Sequence, residues 1–315
     1  MKNLLIISGG AEAVPGIIKA KQMGLHVVVS DGNPNAPGFN FFDDKIIAST
    51  YDYQDTYLKV KKYHKSKKKF DGVICIASDV PYTVAYIAEK LQLVGIPLKS
   101  AETATDKILM KKAFRNKGIL IPDFKEIESF LMFKDIIKLW GYPIIIKPVD
   151  SRGSRGVLKL KPGIDIKWAW DYSKKNSPSS RVMVEKYLEG IQLSTESIII
   201  NSKCYTCGYS DRNYEFIDLY APHIIENGSD MPSILSNDKK RIINEIIQKG
   251  AEALGVSNGI IKGDIVLNDG EIKIIELATR LSGGYFSTNM IPLSTGIDIV
   301  KQSIKMAIDD PIDTN

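Results

Sequence analysis

Cysteine is scarce in this chain. Its 315 residues hold only three, Cys75, Cys204 and Cys207, too few for a disulfide framework and in keeping with a reducing compartment. Cys204-Tyr-Thr-Cys207 has the C-x-x-C spacing, but neither a second pair nor a His-x-x-x-His run completes the four ligands of a structural zinc site. On a strand the two thiols would face opposite ways, so they read as structural, with redox chemistry the alternative. Histidine is as rare, again three residues. His26 begins a buried-type strand and His64 lies in a lysine-rich helix, so no Ser-His-Asp or Cys-His grouping suggests itself. No apolar run approaches the roughly eighteen residues that would span a bilayer. Met1-Lys2-Asn3 leads straight into a short strand without a cleavable signal pattern. A cytoplasmic protein with no membrane partner is expected.

With 44% hydrophobic and 25% charged residues, the chain has an ordinary globular composition and is long enough for two or three packed lobes. The net charge of +5 owes much to the run from Lys59 to Lys69, KVKKYHKSKKK. It reads as the solvated end of a helix. No aromatic stacking platform or nucleic-acid module accompanies it, so no nucleic-acid partner is expected.

The most informative stretch is Gly259 to Gly284, GIIKGDIVLNDGEIKIIELATRLSGG. Apolar and polar residues alternate on both sides of Asn268-Asp269-Gly270, which predicts a hairpin with a tight turn. Folding about residue 270 brings Asp264 level with Glu276, give or take a one-residue bulge. Because strand side chains repeat with period two, Glu276, Ala278 and Arg280 share a face, as do Lys262 and Asp264. Charges on strands this apolar are costly to bury unless paired or bound to something. Magnesium on a nucleotide's phosphates suits two carboxylates, since it takes hard oxygen ligands and usually only one or two from protein. A surface hairpin with ordinary cross-strand ion pairs is the alternative.

From the amino terminus, strands and helices alternate. Strands are expected at Asn3 to Ser8, Leu25 to Ser30, Ile46 to Ala48 and Gly72 to Ile76, with helices at Ala13 to Met23, Gln54 to Lys65 and Pro81 to Leu91. This order predicts a doubly wound parallel sheet. Ligands in such sheets sit beyond the carboxyl ends of the strands, so Ser8-Gly9-Gly10, Asp31-Gly32-Asn33 and Ser78-Asp79 would rim one crevice. A dinucleotide fingerprint is not met, because the glycines after the first strand do not follow G-x-G-x-x-G. They serve a tight turn equally well, and Asp31 and Asp79 are the better candidates for substrate contact.

Past Gly95-Ile-Pro97 the pattern changes. Thr103 to Asp106 reads as a helix start leading into Lys107 to Lys117, and Phe130 to Trp140 as a second amphipathic helix. Tyr142 to Pro148 is a strand whose buried run ends in Lys147. After it, Ser151-Arg-Gly153-Ser154-Arg-Gly156 is a small-residue loop whose backbone N–H groups and arginines can wrap a polyphosphate. Further strands are expected from Arg181 through Glu185, Gln192 to Ile200, Cys204 to Asp211 and Tyr214 to Ile225. Helices at Asn237 to Leu254 and Ile297 to Ile308 complete a mixed, largely antiparallel half.

The order Asp106-Lys107, IIIKP with Lys147 and a glycine loop, VEKYLEG, Asp264, and the E-x-x-x-R of Glu276 and Arg280 resembles the ATP-grasp superfamily. The nearest likeness is to the branch of biotin carboxylase, the carbamoyl phosphate synthetase large subunit and the L-amino acid ligases. It covers nearly the whole chain, including SDGNPNAPG near the start. The resemblance implies a pre-ATP-grasp α/β lobe at 1–100, a small ATP-grasp lobe with the phosphate loop at 101–184, and a large lobe with the metal and substrate sites at 185–315.

By the same resemblance, Lys107 and Lys147 hold ATP phosphates and Ser151, Gly153, Ser154 and Gly156 form the lid over them. Glu185, Lys186, Tyr187 and Leu188 match the hinge that reads adenine, largely through main chain, and Gln192 stands where relatives often place a ribose-binding glutamate. Asp264 and Glu276 match carboxylates that bind Mg2+, with Mn2+ an alternative. Ala278 stands where relatives commonly have an asparagine ligand. Arg280 and Lys147 match catalytic cations. Ser282-Gly283-Gly284 resembles the loop beneath the substrate carboxylate, and Asp211, Arg212, His223 and Glu226 lie in the segment that shapes the acceptor pocket.

The implied activity is an ADP-forming carboxylate–amine ligase acting through an acyl phosphate, with small-molecule carboxylate and amine partners. Activation of bicarbonate by a carboxylase-like or carbamoyl-phosphate-type enzyme, or non-catalytic nucleotide binding, are the alternatives. Family members are often dimers, so a homodimer is compatible with the resemblance. Amino acid ligases of this branch often carry a further carboxyl-terminal subdomain, for which Asn315 leaves no room.

Overall fold

The computed structural model describes residues 1–313. Its first layer holds β1 (Asn3–Ile7), α1 (Val14–Gln22), β2 (His26–Asp31), β3 (Asp44–Ile47), α2 (Tyr53–Ser66), β4 (Gly72–Cys75) and α3 (Pro81–Leu91). The four strands form one parallel sheet in the order β3-β2-β1-β4. Strand side chains alternate between faces. Leu4, Ile6, Val27 and Val29 therefore join α1 in one core, while Leu5, Ile7, Val28 and Val73 join α2 and α3 in another.

Two antiparallel sheets follow. The intervening helices α4 (Leu98–Thr105) and α5 (Lys107–Asn116) meet at Asp106, whose Oδ1 accepts hydrogen bonds from Ile108 N and Leu109 N and so caps α5. Next come β5 (Phe124–Ile127), α6 (Phe130–Trp140), β6 (Ile144–Pro148), β7 (Leu158–Leu160), α7 (Ile166–Lys175) and β8 (Val182–Lys186). These strands form a sheet ordered β5-β8-β6-β7, with α6 and α7 packed against it through Phe133, Ile136 and Trp170.

The second antiparallel sheet is built from β9 (Ile191–Ile200), β10 (Lys203–Asn213), β11 (Gly228–Asp230), β12 (Gly259–Asn268) and β13 (Glu271–Ala278), in the order β11-β10-β9-β12-β13. Helix α8 (Asn237–Ala253) seals one face through Ile243 and Ile247. After β13 come α9 (Ile291–Thr295) and α10 (Ile299–Ala307), and α10 returns to pack in the core beside α1. Cys204 joins the α8 side of this sheet and Cys207 the opposite side, as expected of a strand; all three cysteines are buried and free. No helix among the described residues is long and apolar enough to cross a membrane.

The hairpin has the expected register. Asp264 opposes Glu276, with a bulge between Asp264 and Ile265. Asp269 (φ 49°) and Gly270 (φ 82°) make the two-residue turn, both in the positive-φ region such turns require.

Other expectations fail. Tyr214 to Ile225 is not a strand. The edge of β10 is taken by β11 instead, and Phe216 O accepts from Leu219 N and Tyr220 N in successive turns. Pro222, which has no N–H to give to a ladder, instead accepts a hydrogen bond from Lys159 N, so this segment straps the large sheet to β7. Thr103 to Thr105 end α4 rather than begin a helix. Also unforeseen from sequence are α4, β5, β7, α7, β11 and α9, of which all but α7 have eight residues or fewer.

Candidate functional site

The three sheets converge on a cleft of about 390 Å³. Helix α5 presents Lys107 at its first turn and β6 ends in Lys147. The loop after β6 adds Ser151, Gly153 and Ser154, and the end of β8 adds Glu185, Lys186, Tyr187 and Leu188. Gln192 comes from β9, Asp264 from β12 and Glu276 from β13, while Arg212 and Arg280 close the far side. Residues taken from distant stretches of sequence thus line one space. Gly156 does not join them. It turns the loop at φ 78°, and a Cβ there would meet Pro148 Cγ and Asn176 Cβ at 2.7 Å.

A second cavity of about 430 Å³ adjoins the first and shares Arg212, Glu226, Lys262 and Arg280 with it. Ser282, Gly283 and Gly284 line it, with Phe286 and Met290 as its apolar wall. Two residues expected near substrate lie outside both spaces. Asp211 accepts hydrogen bonds from Ser233 Oγ and Ile234 N. His223 packs edge-on against Trp168 and Tyr172 of α7. Asp211 thus fixes the segment after β11, and His223 anchors the strap on α7. Asp31 is likewise occupied, accepting from Gly9 N and Asn33 N.

The electrostatics of the cleft are those of a densely paired site. Asp264 Oδ1 accepts from Arg212 Nη1 at 2.7 Å and also contacts Lys262 Nζ. Burial pushes the Asp264 carboxyl up, but Lys262 and Arg212 outweigh it and hold the group at about 2. Arg212 also donates to Glu226 Oε2, at 2.5 Å. Lys107 Nζ donates to Ser151 O at 2.8 Å and stands 3.7 Å from Glu276 Oε2.

The Glu185 side chain is buried at the base of the cleft. At 3% exposed, it pairs at 2.8 Å with Lys147 through Oε2 and with Lys111 through Oε1. Despite burial, the two lysines hold its carboxyl below the usual range. Lys111 has no exposed surface, and burial pushes its ammonium down to about 8 against the pull of Glu185.

Several of these residues escaped sequence reasoning. Lys111 had a signal, since it lies four positions after Lys107 on the same face of α5. Glu196 had none. It is wholly buried on β9, where it accepts from Ser282 N and Ser287 Oγ, and burial raises its carboxyl above the ordinary value. From the amino-terminal layer, Asp79 accepts from Arg280 Nε and Glu12 Oε2 from Gly284 N. The crevice expected beyond the parallel strands therefore faces the hairpin.

Asp264 and Glu276 offer the hard oxygen donors that magnesium takes, in the small number it usually draws from protein. Among the described residues no group of three or more His, Cys, Asp or Glu is placed to hold a metal unaided. Ala278 opposes Lys262 and adds no ligand. The donor set fits a metal that brings most of its ligands with it, as one bound to phosphates does.

The ATP-grasp domain model matches residues 104–284, more than half of the chain. The chain belongs to the ATP-grasp family. It is 27% identical over 232 residues to an alanine–anticapsin ligase of Bacillus subtilis, covering 66% of this chain and 47% of that protein. Over 300 residues it is 21% identical to the carbamoyl phosphate synthase large chain of Thermotoga petrophila, covering 94% of this chain and 26% of the other. The chain thus spans half or less of the length of these two relatives. A crystal structure of an L-amino acid ligase from Bacillus licheniformis superposes with a TM-score of 0.81 at 22% identity, over 99% of this chain and 75% of that one. That likeness is one of fold, and it extends over the amino-terminal parallel sheet as well as the two antiparallel ones.

Proposed function

We propose that the chain is an ATP-dependent, ADP-forming ligase that joins an organic carboxylate to an amine. The observation that carries this reading is the junction of the two cavities, where Arg212, Lys262 and Arg280 stand between a cleft lined with lysines and carboxylates and a second cavity with its own apolar wall. ATP lies in the first, its adenine along the main chain of residues 185–188 and its phosphates against Lys107, Lys147 and the loop at 151–154. Asp264 and Glu276 would hold a magnesium ion bound to those phosphates, which would offset their charge. The carboxylate of the first substrate sits in the second cavity against Arg280 and the loop at 282–284.

A carboxylate oxygen attacks the γ-phosphorus, the bond to the β–γ bridging oxygen breaks, and ADP leaves. Lys147 and Arg280 balance charge on the transferring phosphoryl group, a task of positioning and electrostatics rather than covalent catalysis. The amine then attacks the acyl carbon, inorganic phosphate departs, and the nitrogen gives up a proton. Phe286 and Met290 give the second cavity apolar surface that an organic carboxylate can cover and bicarbonate alone cannot, which favours the ligase over bicarbonate activation.

The direct test is ADP release with panels of amino acids and with bicarbonate. Turnover that depends on an amino acid supports the ligase. Turnover with bicarbonate alone, or nucleotide binding without any turnover, overturns it.

A further inference from the structure

Lys111 lies beneath the nucleotide cleft without lining it, and the functions assigned to Lys107 and Lys147 do not account for it. A lysine with no exposed surface is costly to keep charged. Here its ammonium stands 2.8 Å from Glu185 Oε1 and donates to Ile275 O at 3.0 Å. Glu185 Oε2 is 2.8 Å from Lys147 Nζ. One carboxylate thus holds two ammonium groups, one on each oxygen. Of the two lysines, Lys147 lines the cleft and Lys111 does not.

The charge count gives the arrangement its meaning. Lys147 paired with Glu185 alone would be a neutral couple, well placed but with little attraction for an anion. With Lys111 added on the far oxygen, the cluster carries one net positive charge, and the opening to the cleft is the side on which an anion can meet it. We propose that Lys111 is a positioning residue for nucleotide binding, compensating Glu185 from below so that Glu185 aims Lys147 at the triphosphate without cancelling its charge. This rests on the nucleotide-binding reading of the cleft.

The test is the dissociation constant of the full-length protein for ATP and for adenosine, by calorimetry. Lys111→Met and Lys111→Gln are measured beside the double variant Lys111→Met/Glu185→Gln. Lys111→Gln removes the charge while leaving a polar N–H donor in the same interior site, and Lys111→Met removes both. Both single variants should weaken ATP binding by about tenfold or more and leave adenosine binding near the wild-type value. The double variant regains the single net positive charge and should recover most of the lost ATP affinity.

A purely structural Lys111 would instead leave ATP binding intact in Lys111→Gln, or lose ATP and adenosine binding together, with no recovery in the double variant. Any of these results overturns the inference. Should Lys111→Met not fold, Lys111→Gln compared with Lys111→Gln/Glu185→Gln gives the same comparison. A wild-type protein that binds no ATP would sink the nucleotide reading itself, an outcome distinct from wild-type binding that the variants leave unchanged.

Discussion

Asp79 Oδ1 accepts a hydrogen bond from Arg280 Nε at 2.5 Å, joining the loop after β4 to the residues after β13. The pair crosses from the amino-terminal parallel sheet to the junction of the two cavities, which Arg280 lines. Removing the carboxylate leaves Arg280 in place without the group that orients it. A hydrogen bond to a charged group is worth about 1.5–3 kcal/mol, so Asp79→Ala should lower turnover roughly tenfold to a hundredfold. ATP affinity should stay near wild type, because Lys107 and Lys147 are untouched. Steady-state kinetics beside ATP calorimetry reads the two effects separately.

Asp264 and Glu276 stand opposite each other across the hairpin, and both should matter to the metal-dependent reaction. Glu276→Ala and Asp264→Asn are expected to cut Mg2+-dependent turnover by about a hundredfold or more, and chelation by EDTA should abolish it in the wild type. A Mg2+ titration of ADP release measures this. Unchanged turnover in Glu276→Ala would refute the assignment.

Glu12 reaches from the turn after β1 to accept from Gly284 N at 2.6 Å. Glu12→Ala should therefore loosen the loop at 282–284, raising KM for the carboxylate substrate several-fold by the loss of one charge-assisted bond while KM for ATP holds. Equal changes in both would place Glu12 outside the substrate side of the site.

Acid should weaken the amino-terminal layer in two stages. His26 and His64 are held below the ordinary histidine value, first by burial and then by Lys68 and Lys69. The unfolded chain therefore takes up protons that the fold resists, and stability falls as pH drops through about 6.5. The Asp44 carboxyl is lowered by its bond from Lys67, and its contribution is lost further down, as pH falls below the usual aspartate value of about 4. Thermal melts from pH 8 to about pH 2 should show Tm falling in both stages, with the first stage reduced in His64→Gln.

Gly72 sits where β4 meets α10. A Cβ there would lie 2.4 Å from Ala307 O, a backbone atom that cannot swing aside. Gly72→Ala should cost about 1–3 kcal/mol by overpacking. Urea denaturation checks this, and a midpoint equal to wild type would mean that α10 moves freely.

The parallel sheet and the hairpin register were legible because each rests on a local signal, whereas most of the cleft was named through the resemblance to the ATP-grasp superfamily. Alternation predicted β12 and β13, Asp269-Gly270 predicted their turn, and glycine stops framed α1, α5 and α6. The misses share a different cause. Tyr214 to Ile225 has strand-like composition, but its partners are set by β11 and β7, which no local pattern reveals. Asp211 and His223 were chosen because they lie in the segment that the resemblance gives to the acceptor pocket, and their contacts with Ser233, Trp168 and Tyr172 come from elements far away in sequence. Glu185 was placed in the right segment, yet the burial of its side chain depends on Lys111 and Lys147 arriving from two other elements.

The burial of Cys204 and Cys207 on opposite faces of one sheet has a practical side. Burial pushes the Cys207 thiol up to about 12 and raises Cys204 as well, so alkylating reagents should meet inert sulfurs while the sheet stays closed. Each then marks the solvent exposure of a separate compartment, and the order in which they label would tell which side of the molecule breathes first.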